Sequence, residues 1–350
     1  MAPVRLAHRL RRNAGAILID GFFRGISRAG RLHPHANPER HNVEVLRDVP
    51  YRDAAYNRHH PDHHLDVYRP IGTRAGAKLP VVLYVHGGGF RILSKDTHWI
   101  MGLAFARQGY VVFNISYRLA PRHPFPAAIE DACAAFNWVS ANADVWGGDP
   151  NCIVLAGESA GANLVTSLTI ASCYERPEPY AQAVFERGTV PRAVLPACGI
   201  LQVTDPDRFR RRWPHMLPFV HDRVVEVSKG YLRGTQGLPA GALDLADPLL
   251  VFERGERPQR PIPPFFVVCG LKDPLLDDAR RLQRALTALD AHCEVEFYPG
   301  EMHAFHAVAV SPNARRAWRH TYRFLERHTA REEAPAGSAV GAVSGSGEVR

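Results

Sequence analysis

The sequence predicts the α/β class, a mostly parallel sheet with helices on both faces, on three observations. Short continuous apolar runs recur, such as LPVVLYV at 79–85, the pattern of strands buried on both sides. Segments of helical apolar spacing lie between them; at 125–142, Ile129, Ala132, Cys133, Phe136 and Val139 share one face. Strand and helix alternate over most of the 350 residues, and parallel neighbours need such crossovers.

Taken in order, VEVLRDV (43–49) and HLDVYR (64–69) read as strands, and LPVVLYV follows as a buried one. A helix is predicted over 97–108, and YVVFNIS (110–116) is again a continuous buried run. After the 125–142 helix come CIVLAG (152–157) as a strand and a helix over 160–173. AVLPACGIL (193–201), PFFVVCG (264–270) and CEVEFYP (293–299) complete eight strands, and helices at 276–290 and 313–328 follow the last two. Residues 203–262 break the rhythm with seven prolines among aromatics; an insertion of this kind at one end of a sheet is expected to form a cap.

Composition excludes several classes. The chain is 46% apolar and 22% charged, unlike a disordered, collagenous or coiled-coil chain. No window approaches 18 consecutive apolar residues. The six cysteines form no CxxC and no close pair, so mostly buried free thiols and a cytoplasmic, reducing setting are expected. Of the net charge of +8, residues 1–40 carry +6, so the remainder is nearly balanced and nucleic-acid binding loses its support. Within that basic end Leu6, Leu10 and Ile17, then Ile19, Phe22, Phe23 and Ile26, recur at helical spacing. Residues 1–40 are expected to pack as helices on the domain, with a peripheral membrane contact through 1–31 as the competing reading. Residues 41–330 are the expected catalytic domain, and the small, polar, aperiodic 331–350 a disordered tail.

The chemistry concentrates in four places. Gly157-Glu158-Ser159-Ala160-Gly161 directly follows a buried strand and precedes a helix, the context of a G-x-S-x-G nucleophile elbow. His86-Gly87-Gly88-Gly89-Phe90 closes the strand at 79–85; consecutive glycines let backbone N–H groups approach a ligand. Gly88, Gly89 and Ala160 are the expected oxyanion donors, with Gly87 as a further candidate. Asp273 follows the strand at 264–270 and His303 the strand at 293–299, both at carboxyl ends of parallel strands where ligands bind. They are the expected orienter and base for Ser159. His306 is a rival base, Asp277 and Asp278 read as charges favoured at a helix N-terminus, and His292 lies at the wrong edge. The His59–His64 cluster has no second ligand group at metal spacing and reads as a solvated loop. No Walker A or dinucleotide fingerprint appears, and no cofactor or metal is expected.

HGGGF (86–90), YRLAPRHPFPAAIEDA (117–132), WGGDPNCIVLAGESAGANL (146–164), GLKDPLLDDA (270–279) and EMHAFH (301–306) together resemble the hormone-sensitive-lipase-like carboxylesterases, over about 43–328. The resemblance implies an α/β-hydrolase fold, an eight-stranded mostly parallel sheet with a helical cap. It also implies Ser159 as nucleophile, Asp273 as orienter and His303 as base. The chain departs from that pattern at Glu158, where Asp is usual, at Ala162 and Ala304, where Gly is common, and in a longer His-rich loop. The implied activity is cleavage of short- to medium-chain carboxylic esters through an acyl-enzyme. Phe90, Trp213, Met216 and Phe219 are expected to line the substrate pocket, and Arg208, Arg210, Arg211 and Arg212 to form a solvated face. The competing readings are an amide- or peptide-cleaving hydrolase and a noncatalytic small-molecule receptor on this fold. The expected partner is a small-molecule ester, with the chain a monomer or homodimer.

Overall fold

The computed structural model describes residues 20–21, 24–25, 27–52, 60–239, 241–308 and 311–330. The tail at 331–350, His59 and the apolar positions of the N-terminal pattern lie outside them. One sheet holds all eight strands: β1 (Val43–Pro50), β2 (His64–Pro70), β3 (Leu79–Val85), β4 (Val111–Ile115), β5 (Gly148–Glu158), β6 (Ala193–Ala197), β7 (Phe265–Gly270) and β8 (Cys293–Tyr298). Their order is β1-β2-β4-β3-β5-β6-β7-β8; β2 is antiparallel to both neighbours and all other pairs are parallel. The ladder is long between β3 and β5, but β6 and β7 share a single paired position, Val194 with Phe265. Val194 N–H to Pro264 O and Cys198 N–H to Val268 O flank that position, and Pro196 of β6 has no N–H to give.

The α-helices numbered here are α1 (Trp99–Ala106), α2 (Ala127–Asn142), α3 (Ala160–Cys173), α4 (Pro179–Arg187), α5 (Arg208–Arg212), α6 (Pro218–Tyr231), α7 (Pro248–Glu253), α8 (Leu276–Ala288) and α9 (Pro312–Thr329). They cover both faces of the sheet. α2, α3, α4 and α8 close the larger core, while α1 and α9 close the smaller one with Met101, Phe105, Ala317 and Phe324. All fourteen residues of α3 are buried. Its hydroxyls survive there because Thr166, Ser167, Thr169 and Ser172 each donate to the carbonyl four residues back. No helix among the described residues is long and apolar enough to cross a membrane.

Four readings of the fold need correction. The strand predicted over 193–201 stops at Ala197, because Cys198 turns the chain with φ +40°. α4 was not anticipated, although Pro179 at its first turn and Gly188 in the left-handed conformation after it mark both ends. Arg208 does not belong to a solvated face: it pairs at 2.5 Å in the interior with Asp278, which stands in the first turn of α8 as expected and also accepts the Leu201 N–H. Arg210, Arg211 and Arg212 remain exposed as expected. All six cysteines are free, four of them buried, as their spacing suggested.

His63, expected in a solvated loop, is buried against Asp131 at 3.1 Å. Asp131 is itself fully buried and also accepts from Arg118 Nε (2.8 Å), Arg118 N–H (2.9 Å) and Arg52 (3.0 Å). Burial alone would raise its pKa, but the bonds from His63 and Arg118 outweigh it and hold the group at about 2. Its stabilisation is therefore present above the ordinary 3.8 and lost as pH falls through about 2. Asp131→Ala strands these donors and is expected to cost about 3–5 kcal/mol, read as a lower urea midpoint and melting temperature.

Candidate active site

Ser159 sits at the carboxyl end of β5 where the chain turns into α3, with φ +56° and ψ −112°. Such a conformation costs a non-glycine residue about 1–3 kcal/mol and persists only when its surroundings enforce it. Here the Ser159 N–H donates to Ala197 O (2.9 Å), and its carbonyl accepts from Asn163 (3.2 Å) and Ile200 (3.3 Å). The flanking glycines are steric necessities: a Cβ on Gly161 would lie 2.0 Å from Val85 O, and one on Gly157 2.7 Å from the same atom.

The glycine loop lies beside this turn; a Cβ on Gly87 would come within 3.3 Å of Ser159 Cβ. His86 fixes the loop without facing the solvent. Its ring stacks on Tyr117 at 4.2 Å, its Nδ1–H donates to Gly87 O (2.7 Å), and burial pulls its pKa to about 3, so it stays neutral. Gly88 (φ +103°) and Gly89 (φ +60°) then turn the chain. Among the described residues, the N–H groups of Gly88, Gly89 and Ala160 donate to no protein acceptor. That leaves three N–H groups without a protein partner at this turn and loop. Gly88→Ala would place a Cβ 2.1 Å from Ile92 O and displace the loop. A loss of about 10²–10³ in kcat is expected, measured on any ester the wild type cleaves.

Asp273, buried in the turn after β7, accepts the Leu275 N–H (2.8 Å) and meets His303 Nδ1 through Oδ2 (2.9 Å) and Oδ1 (3.1 Å). His303 is half-buried after β8. Burial would lower its pKa, but the Asp273 carboxylate beside it outweighs this and raises it above 6.5. His306, the rival base, makes no hydrogen bond to Asp273 among the described residues, and burial lowers its pKa to about 4. The geometry therefore couples Asp273 to His303. His292 is exposed at the amino end of β8, away from these loops.

Sequence reasoning missed Cys198. Its Sγ, an Asp273 carboxylate oxygen and a His303 nitrogen lie within 4.8 Å of one another. Burial pushes its pKa up, so it stands there as a neutral thiol. Because Cys198 follows the Ala197 carbonyl that holds the Ser159 N–H, this turn runs from the Ser159 elbow to the side of the His303 imidazole. Nothing in the sequence marked it, since it reads as mid-strand.

Comparison with known proteins agrees with this geometry. A model of the alpha/beta hydrolase fold family matches residues 82–307, well over half of the chain. The chain belongs to that family. Within the alpha/beta hydrolases it is 31% identical over 245 residues to Carboxylesterase NlhH of Mycobacterium tuberculosis, covering 68% of this chain and 70% of that protein. Versiconal hemiacetal acetate esterase of Dothistroma septosporum is 27% identical, over 85% of this chain and 84% of its own. A solved esterase from the bacterial hormone-sensitive lipase family superposes with a TM-score of 0.62 at 26% identity, covering 83% and 86% of the two chains. Among alpha/beta hydrolases the chain is thus a hormone-sensitive-lipase-like carboxylic ester hydrolase.

The expected pocket residues of this alpha/beta hydrolase divide. Phe90 has no exposed surface and stacks on Tyr231 of α6 at 3.8 Å, and Met216 is buried in the main core. Neither is exposed to a ligand here, which corrects that expectation: Phe90 packs beneath α6, and Met216, on the insertion, packs into the core. Trp213 and Phe219 are exposed. α6 rests on the glycine loop, since a Cβ on Gly89 would meet Val227 at 2.5 Å, and Arg91 pairs with Glu226 at 2.5 Å. The N-terminal segment reaches the residues just beyond that loop. Asp20 accepts the Leu93 N–H (3.1 Å), Arg31 donates to Asp96 O (2.6 Å), and Trp99 donates to Ser27 (3.1 Å).

Proposed function

We propose that the protein cleaves short- to medium-chain carboxylic esters through an acyl-enzyme on Ser159, with His303 as general base and acid and Asp273 as its orienter. The observation that carries the reading is the Asp273–His303 pair, held at 2.9 Å on loops beside the strained Ser159 turn. Asp273 bonded to Nδ1 leaves Nε2 as the nitrogen that takes the serine proton. Oγ attacks the ester carbonyl, and the oxyanion is received by the N–H groups of Gly88, Gly89 and Ala160. Collapse of the intermediate expels the alcohol, which takes the proton from His303. Water then repeats both steps on the acyl-enzyme and releases the acid. Trp213 and Phe219, exposed on the insertion, and residues 1–40, whose described part contacts Leu93, Asp96 and Trp99, are proposed to bound the acyl side.

Hydrolysis of p-nitrophenyl esters from C2 to C16 tests the reading. Turnover is expected to be highest on the short chains and to fall along the series. Absence of turnover at every length by folded protein would overturn it, and turnover of anilides alone would move the assignment to amide cleavage.

A further inference from the structure

Glu158, immediately before Ser159, is buried in a polar cluster. Its carboxylate accepts the Gly87 N–H (2.5 Å), the Tyr84 hydroxyl, and His98 Nε2 (2.7 Å). Gly87 opens the glycine loop, so one side chain grips the elbow by its own backbone and the oxyanion loop by its first N–H. Glu158 is one methylene longer than the aspartate usual at this position in the family it resembles.

The protonation of His98 follows from its partners. Nδ1 faces Ser94 O (3.1 Å) and Thr97 Oγ1 (2.9 Å). The Thr97 hydroxyl already spends its proton on Ser94 O (2.7 Å), so it can only accept from the ring. Nε2 faces a carboxylate. Both ring nitrogens must donate, which makes His98 an imidazolium, paired with Glu158 and layered on the neutral His86 at 5.5 Å. The surroundings favour the same charges: despite burial, Glu158 is held down at about 2 and His98 is raised above 6.5 by their mutual attraction. A buried ion pair is a poor source of stability compared with apolar packing, but it fixes geometry when its remaining valences are filled. Here they are filled by Tyr84, Gly87, Ser94 and Thr97.

We propose that Glu158 and His98 are positioning residues for the oxyanion hole, an ion pair that holds the Gly87–Gly89 loop in register with Ser159. The inference rests on the esterase reading above. His98 touches no reacting atom and acts through Glu158.

The test measures kcat, KM and melting temperature for wild type, His98→Ala and His98→Gln on a short p-nitrophenyl ester. Inhibition by a trifluoromethyl ketone, which presents an oxyanion to the site, is measured alongside. His98→Ala is expected to lose about 10²-fold in kcat with KM changed less than about threefold. Its inhibition constant should weaken in proportion to kcat/KM. His98→Gln, which keeps a donor but no charge, should recover part of both. Unchanged kcat and inhibition in folded His98→Ala would overturn the proposal, as would a loss confined to KM or failure of both variants to fold. A folded wild type that cleaves no ester would instead fail the esterase reading, so the two failures are distinct.

Discussion

Ser159→Ala removes ester turnover by on the order of 10⁶ in kcat, and the protein stays folded. The substitution deletes one oxygen from a side chain that makes no hydrogen bond supporting the fold among the described residues; the turn is held by backbone bonds to Ala197, Asn163 and Ile200. Alanine at φ +56° carries a strain similar to that of serine, so the melting temperature is expected to shift by only a few degrees. Residual activity comes from the loop N–H groups and from substrate binding. Single-turnover kinetics on a p-nitrophenyl ester, with circular dichroism on the same samples, checks it. Retained turnover in folded protein would remove Ser159 as nucleophile.

Asp273→Asn is the second large effect, on the order of 10⁴ in kcat at nearly unchanged KM. Asparagine fills the same buried space, but its amide can donate to His303 and so permits the tautomer with Nε2–H, which cannot take the serine proton. The carboxylate's other bond, from the Leu275 N–H at 2.8 Å, is expected to hold the amide oxygen and turn the NH₂ toward His303. The pH profile supplies the sign. Asp273 raises the His303 pKa above 6.5, so wild-type kcat/KM climbs with pH along a limb displaced to the alkaline side of free histidine. Removing the carboxylate moves that limb to lower pH. A limb that stays in place would mean another group supplies the basicity.

Much of the scaffold is legible in the sequence, for identifiable reasons. Strands such as LPVVLYV are buried on both faces, so they carry a continuous apolar signal that polar surroundings cannot mimic. The elbow and glycine loop are legible because sterics leave little choice: Gly157 and Gly161 have no space for a Cβ against Val85 O. What stayed hidden depends on tertiary partners. Arg208 reads as part of a solvated face and proves buried because it pairs with Asp278 at the start of α8. Phe90 reads as a pocket wall until Tyr231 of α6 covers it. His63 and Asp131, 68 residues apart, give no local sign of their contact. Cys198 lay inside an apolar stretch whose strand ends one residue earlier.

The seam between β6 and β7 divides the catalytic apparatus in a definite way. Ser159 and its proposed oxyanion donors belong to the β3–β5–β6 side, while Asp273 and His303 follow β7 and β8, joined by a full ladder from Phe265–Cys293 to Gly270–Tyr298. Across the boundary Val194 pairs with Phe265, flanked by Val194 N–H to Pro264 O and Cys198 N–H to Val268 O. The contact between Asp273 and His303 is therefore internal to the β7–β8 pair, whereas the spacing between the proposed base and the proposed nucleophile is set by how β7 seats against β6. A change that shifts that seating is expected to lower kcat while leaving the acid–base couple intact.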